Sequence, residues 1–264
     1  MLEDNKIISE RFIELLEVLR KLRSPDGCSW DQKQTSESLI PYLLEETYEI
    51  IEAIEDGNSD SLKEELGDLI LHILFQAELA RESKQFDISD SLENIINKLI
   101  HRHPQVFEKN ENKIKENINK SWEMSKQKEK NRINILDGVP KNLPALLRAR
   151  RIQEKAASVN FDWKEINPVL DKVDEEICEL KEAIKLQDIE LIKDELGDTF
   201  FSLVNLSRFL DINPESALRM TISKFENRFA QVEKELKKRG KSLADSTLEE
   251  MDEIWNTVKK KARA

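Results

Sequence analysis

The sequence predicts an all-α protein built from two tandem helical units, and three observations carry that prediction. Apolar residues recur at three- and four-residue intervals through most of the chain, the mark of helices with one buried face. Glycine and proline number only six and seven in 264 residues, and aromatic residues make up 6%, which leaves little material for strands and tight turns. One acidic pattern also occurs twice at a fixed separation.

That repeat organises the chain. Glu45-Glu46-Thr47-Tyr48-Glu49 matches Glu175-Glu176-Ile177-Cys178-Glu179, and Glu65-Leu66-Gly67-Asp68 matches Glu195-Leu196-Gly197-Asp198, both at an offset of 130 residues. An equal offset across two separate motifs points to duplicated domains of one design. The length suits two domains of about 100 to 150 residues. Their expected limits are 1–135 and 146–264, joined at 136–145, where Gly138, Pro140 and Pro144 interrupt the helical pattern.

Helices are expected near residues 7–22, 38–56, 60–83, 88–101 and 114–130 in the first half. In the second they fall near 144–157, 166–186, 189–209, 214–238 and 246–262. In the first half the apolar stripe runs through Leu39, Leu43, Ile50 and Ile54, then through Leu66, Leu69, Ile70 and Ile73. Asp56-Gly57-Asn58, His103-Pro104, Asn213-Pro214 and Arg239-Gly240 supply the breaks.

Composition narrows the function. Fifty-three acidic against 42 basic residues give a formal charge of −11, which opposes binding to nucleic acid or to an anionic membrane. An anionic substrate would need cations. No apolar run approaches the roughly 20 residues that span a bilayer, and the N-terminus lacks a basic start followed by an apolar stretch; a cytoplasmic protein is expected. Cys28 and Cys178 are the only cysteines, too few for a disulfide framework or a four-cysteine zinc site, and Cys178 reads as a packing residue.

The acidic pattern reads as a metal site. Spacings of three and four residues bring Glu45, Glu46 and Glu49 to one side of a helix, as they do Glu175, Glu176 and Glu179. The next helix adds Glu65 and Asp68, or Glu195 and Asp198. Like charges so placed destabilise a helix and raise carboxylate pKa values unless a cation neutralises them. Solvated glutamate faces are common in a chain this charged, but two intact copies favour the cation. An all-oxygen set selects Mg²⁺, Mn²⁺ or Ca²⁺ over Zn²⁺, and Mg²⁺ also accepts phosphate oxygens. Gly67 and Gly197, costly within helices, suggest a close helix approach beside the acids.

Glu-Glu-x-x-Glu followed by Glu-x-x-Asp resembles the signature of the MazG-like all-α NTP pyrophosphohydrolases. The segment Leu22-Arg23-Ser24-Pro25-Asp26-Gly27-Cys28-Ser29-Trp30-Asp31 resembles that family's N-terminal motif, with Ser29 where proline is usual, and Asn160-Phe161-Asp162-Trp163 resembles its second-domain counterpart. The resemblance runs over essentially the whole chain and implies the two-domain form, with helical domains that form a homodimer and active sites on four-helix bundles. The implied activity is Mg²⁺-dependent hydrolysis of ribo- and deoxynucleoside triphosphates to NMP and pyrophosphate, with Mn²⁺ as a possible substitute.

The family pattern implies metal and catalytic roles for Glu175, Glu176, Glu179, Glu195 and Asp198, and substrate contacts for Lys172, Lys224, Arg228, Trp255 and Lys259. Lys224 and Arg228 share a helix face, and Trp255 offers a plane for a base, although these residues alone read more simply as a solvated cationic face and a core tryptophan. The first half repeats the theme with Glu45, Glu46, Glu49, Glu65, Asp68, Lys98, Arg102, Trp122 and Lys126. Tyr42 stands there in place of Lys172, so this site ranks second. A water activated by bound metal would attack the α phosphorus, with Glu176 or Glu179 accepting its proton.

Three other readings compete. A di-iron carboxylate bundle wants Glu-x-x-His pairs, and His72, His101 and His103 lack the glutamate three residues earlier; they read as packing, surface or helix-end residues. A non-catalytic dimerisation scaffold would not need Lys, Arg and Trp paired with each acidic cluster. Within the enzyme class, a narrower house-cleaning role on dUTP, dCTP or damaged nucleotides, or phosphoribosyl-ATP hydrolysis, stays open, because base preference resides in loops and pocket shape.

Overall fold

The computed structural model describes residues 2–107 and 134–261, and among them every regular element is a helix. The chain divides into two compact units, Met1–Lys113 and Ile114–Ala264.

The first unit contains α1 (Leu2–Arg23), α2 (Ser29–Lys33), α3 (Ile40–Glu55), α4 (Ser59–Glu82), α5 (Ile88–Arg102) and α6 (Pro104–Phe107). The dominant packing is between α3 and α4, with α1 and α5 laid against α4. The α3–α4 turn follows from its residues. Gly57 takes a φ of +66°, which glycine adopts without steric cost, and the Asn58 side chain accepts from the amides of Asp60 and Ser61 to cap α4. Gly27 is required by crowding, since a Cβ there would lie 2.2 Å from the Leu22 carbonyl oxygen. Leu19, Leu39, Leu74 and Phe75 form the buried core, joining α1, the start of α3 and α4.

The second unit contains α7 (Ala145–Ser158), α8 (Asn167–Leu186), α9 (Ile189–Phe209), α10 (Pro214–Lys238) and α11 (Leu248–Lys261). Its central pair is α8 and α9, the counterparts of α3 and α4, and α7 packs on α9 and α10. Asp188 caps α9 and Asn213 caps α10 through the same side-chain-to-amide contacts. Val169, Val173, Ala183 and Val204 are buried, while Val232, Leu236, Ile254 and Val258 make the α10–α11 core.

The expected helices of the described residues are present, and α1 begins earlier than expected, at Leu2. The two short helices α2 and α6 are additional, because one or two turns leave no periodicity to read. The expected helix at 114–130, with Trp122 and Lys126, lies outside the described residues. Two expectations are corrected. A Cβ at Gly67 or Gly197 would meet nothing within 4 Å, so neither glycine marks a close approach to the rest of the described chain. Cys178 is exposed and does not serve as packing. Among the described residues no helix is long and apolar enough to cross a membrane.

Candidate active site

In the second unit, α8 contributes Glu176 and Glu179 and α9 contributes Glu195, with one carboxylate oxygen from each lying within 4.8 Å of the others. The helical spacing of three places Glu176 and Glu179 one turn apart, and the antiparallel turn at Gln187-Asp188 returns Glu195 to their level. Glu176 is buried while Glu179 is exposed. Lys172, one turn before Glu176, sets its Nζ 2.8 Å from both Glu175 and Glu176, and those two carboxylates hold its pKa above the usual lysine value. Glu175 thus faces Lys172, and Asp198 lines the adjoining cavity together with Glu176. The Glu195 carboxyl is pushed above its usual range by burial and then by the charges of Glu179 and Glu176.

The first unit repeats the arrangement. Glu46, Glu49 and Glu65 bring oxygens within 4.8 Å of one another. Without a lysine beside it, Glu46 is pushed up to about 7 by burial, and then by Asp68, Glu49 and Glu65. Glu65 is raised for the same kind of reason. Tyr42, at the position of Lys172, lies parallel to the His72 ring with centroids 6.3 Å apart. His72 Nε2 lies 3.8 Å from Glu46 Oε1, and burial holds the imidazole below its usual pKa. His72 is therefore part of this site's wall, a place that its helical position alone did not reveal. Glu45, Lys98 and Arg102 lie on α3 and α5, outside the three-carboxylate group.

Both groups suit a hard divalent cation. All donors are carboxylate oxygens from two helices, and the carboxyls of Glu46, Glu65 and Glu195 are raised first by burial and then by crowded like charges, a repulsion that a cation would relieve.

Beside the second group opens a cavity of about 570 Å³, within the range of roughly 300–1,000 Å³ typical of small-molecule sites. Lys172, Glu176 and Asp198 belong to its wall, as do Phe161, Asp162 and Trp163 of the loop between α7 and α8. That loop is fastened by a two-pronged ion pair, with Arg208 Nη1 2.9 Å and Nη2 2.5 Å from the Asp162 oxygens. Arg208 also donates to Asn205 Oδ1 at 3.0 and 2.8 Å. Gln153, from α7, is 7% exposed and lines the same space. Ile135 and Leu136, expected at the end of the first domain and the start of the linker, lie in this wall too.

Gln153, Asn205 and Arg208 were not singled out from sequence. A signal existed for Asn205, which follows Asp198 by seven residues and so shares its helix face.

Lys224 and Arg228 lie on α10 and Trp255 and Lys259 on α11, and none of the four belongs to the cavity wall. The Trp255 ring packs 5.1 Å from Phe225, with the Arg228 guanidinium 5.8 Å from its centroid. Trp255 itself is half-buried.

Comparison with known proteins agrees with the geometry. A family model described as the MazG nucleotide pyrophosphohydrolase domain matches residues 34–107 and again 166–232, each match spanning one acidic pattern. A Thermotoga maritima protein named nucleoside triphosphate pyrophosphohydrolase/pyrophosphatase MazG is 46% identical over 250 residues, covering 94% of this chain and 95% of its own. The Escherichia coli K12 nucleoside triphosphate pyrophosphohydrolase is 40% identical over 252 residues, covering 93% and 96%. Bacillus subtilis YabN is 40% identical over 265 residues, which is 99% of this chain and 54% of that protein.

Proposed function

The chain belongs to the MazG nucleotide pyrophosphohydrolase family, and from that premise we propose that its second unit is the principal catalytic site. The chain is a nucleoside triphosphate pyrophosphohydrolase, a hydrolase of acid anhydrides that releases NMP and pyrophosphate. Family membership sets aside the non-catalytic scaffold. The observation that favours the second site is Lys172, a cation within 2.8 Å of Glu175 and Glu176 where the first unit has Tyr42.

Glu176, Glu179 and Glu195 would hold Mg²⁺, with Glu175 and Asp198 on the same helix faces. Magnesium held there, or manganese in its place, would offset phosphate charge and lower the pKa of a water beside the α phosphorus. Lys172 exchanges its carboxylate contacts for phosphate oxygens and orients the chain of phosphates. Glu176 or Glu179 takes the proton of the attacking water. The new bond joins that oxygen to the α phosphorus, the bond to the α,β-bridging oxygen breaks, and pyrophosphate departs. Lys224, Arg228, Trp255 and Lys259 contact the nucleotide, the three cations adding positive charge for the triphosphate and Trp255 a flat apolar surface beside Arg228. The substrates are ribo- and deoxynucleoside triphosphates, ATP among them. The first-unit residues Glu45, Glu46, Glu49, Glu65 and Asp68, with Lys98, Arg102, Trp122 and Lys126, form a secondary site.

The proposed domains are 1–135 and 146–264, with 136–145 between them. A homodimer is supported by matching apolar stripes that the chain leaves exposed, Leu66, Ile70 and Ile73 on α4 and Leu196, Phe200 and Leu203 on α9. A cytoplasmic location follows from the substrate, and the charge of −11 argues against a nucleic-acid partner.

Product analysis tests the activity. Purified protein with each NTP and dNTP should form NMP and pyrophosphate with Mg²⁺ and lose that activity with EDTA; NDP and phosphate as products would refute it.

A further inference from the structure

We infer that the cavity beside the second acidic group receives the base of the nucleotide, and that Gln153 Oε1 reads an N–H donor on the base's hydrogen-bonding edge. The inference rests on the second unit being the catalytic site and adds to that reading how the substrate is chosen.

Position comes first. Lys172, Glu176 and Asp198 belong to the cavity wall, so a triphosphate held at the acidic group brings the rest of its nucleotide to this opening. Chemistry comes next. Ile152, Val159, Phe161, Trp163 and Phe201 give the cavity apolar and aromatic surface, on which a flat heterocycle can be sandwiched or stacked. Trp255, the other candidate platform, already packs against Phe225 and Arg228.

Gln153 supplies the reading group. Its Nε2 donates to the Phe201 carbonyl oxygen at 2.9 Å, which fixes the orientation of the amide and leaves Oε1 as an acceptor. That oxygen is buried and has no hydrogen-bond partner, in a side chain only 7% exposed. Buried acceptors are rarely left so, and one in a cavity wall is completed by a ligand with a donor. The exocyclic amines of adenine, cytosine and guanine and the imide N–H of uracil and thymine are such donors. Asn205 is prepared in a similar way. Its Oδ1 is occupied by Arg208, itself anchored to Asp162, so Nδ2 is the group it has to offer.

Among the described residues, the first unit differs at the matching positions of α4. At the offset of 130 that relates Glu65 to Glu195, Asn205 corresponds to Phe75 and Ser202 to His72. Phe75 is buried in the core, with the Arg23 guanidinium over its ring at 5.1 Å. Apolar packing stands where the second unit has an amide.

The test compares kcat/KM, with Mg²⁺, for nucleotide pairs that differ by one exocyclic amine: ATP against purine riboside triphosphate, and CTP against the 2-pyrimidinone riboside triphosphate. Wild-type protein is expected to prefer the donor-bearing member of at least one pair by about 10-fold or more. Gln153→Met, which keeps the length and removes the acceptor, should bring that preference to within about 3-fold. Each ratio is taken within one preparation, so a loss of folded enzyme cancels; should Gln153→Met not fold, Gln153→Asn, with its oxygen withdrawn by one methylene, gives the same comparison. No preference in the wild type, or a preference that survives both substitutions, overturns the inference while leaving the catalytic reading intact. A preference abolished by Trp255→Ala and kept in Gln153→Met places the base at Trp255 and equally overturns it. Absence of turnover with every nucleotide defeats the catalytic reading and this one together.

Discussion

The Lys172 ammonium lies 2.8 Å from the Glu176 carboxylate, and the matching position in the first unit holds Tyr42 against His72. Among the described residues, one substitution between duplicated units thus separates a carboxylate group with a lysine beside it from one with a tyrosine there. In the first unit Glu46 is pushed up to about 7 by burial and then by the neighbouring carboxylates.

Lys172→Met is expected to lower kcat/KM for ATP by about 10-fold or more, since a charge-assisted hydrogen bond contributes on the order of 1.5–3 kcal/mol. Steady-state kinetics check this, and an unchanged value would remove Lys172 from substrate binding.

Metal binding in the first unit should depend on pH. Because the Glu46 pKa is about 7 in the folded chain, above its unfolded value, its contribution to stability is present in acid and is lost as pH rises through 7. A divalent cation relieves the resulting repulsion and displaces the proton. Thermal melts with Mg²⁺ and with EDTA should therefore show a larger Mg²⁺-induced rise in Tm at pH 8 than at pH 6, most clearly in a Glu176→Gln background.

Glu78 predicts the opposite sign. Its carboxylate, 3% exposed, meets Arg20 at 3.2 Å and Arg81 at 2.5 Å, and its pKa is lowered, chiefly by the hydrogen bond from Arg81. This stability is present above the ordinary carboxylate range and is lost as pH falls through the lowered pKa. Glu78→Gln should cost about 1–3 kcal/mol at neutral pH in denaturant unfolding, with a smaller difference in acid.

The apolar stripe on α9 should be a subunit contact. Phe200 is 54% exposed between Leu196 and Leu203, and Phe200→Glu is expected to shift a dimer to monomer in light scattering. A wild-type monomer would contradict the proposed assembly.

Much of the fold was legible because long amphipathic helices announce themselves by period, and the acidic group was legible because its members lie three and four residues apart on two helices. The cavity was not. Gln153 comes from one helix and Asn205 and Arg208 from another, and they meet the loop at 160–163 through tertiary packing that no local spacing encodes. The surroundings of Trp255 were hidden for a related reason: its plane is visible in sequence, whereas the Phe225 and Arg228 side chains beside it are a property of the α10–α11 contact. Gly67 and Gly197 remain without a neighbour in the described chain, and nothing in the structure explains them.

The most direct measurement is NMP and pyrophosphate formation from ATP with Mg²⁺ by Glu176→Gln and Glu46→Gln, two equivalent substitutions in the duplicated units, with helicity followed by circular dichroism. If the second unit is the principal site, Glu176→Gln loses about 100-fold or more in rate with its helices intact, and Glu46→Gln retains the larger share of activity. Wild-type rates in Glu176→Gln, or the greater loss in Glu46→Gln, would contradict that assignment.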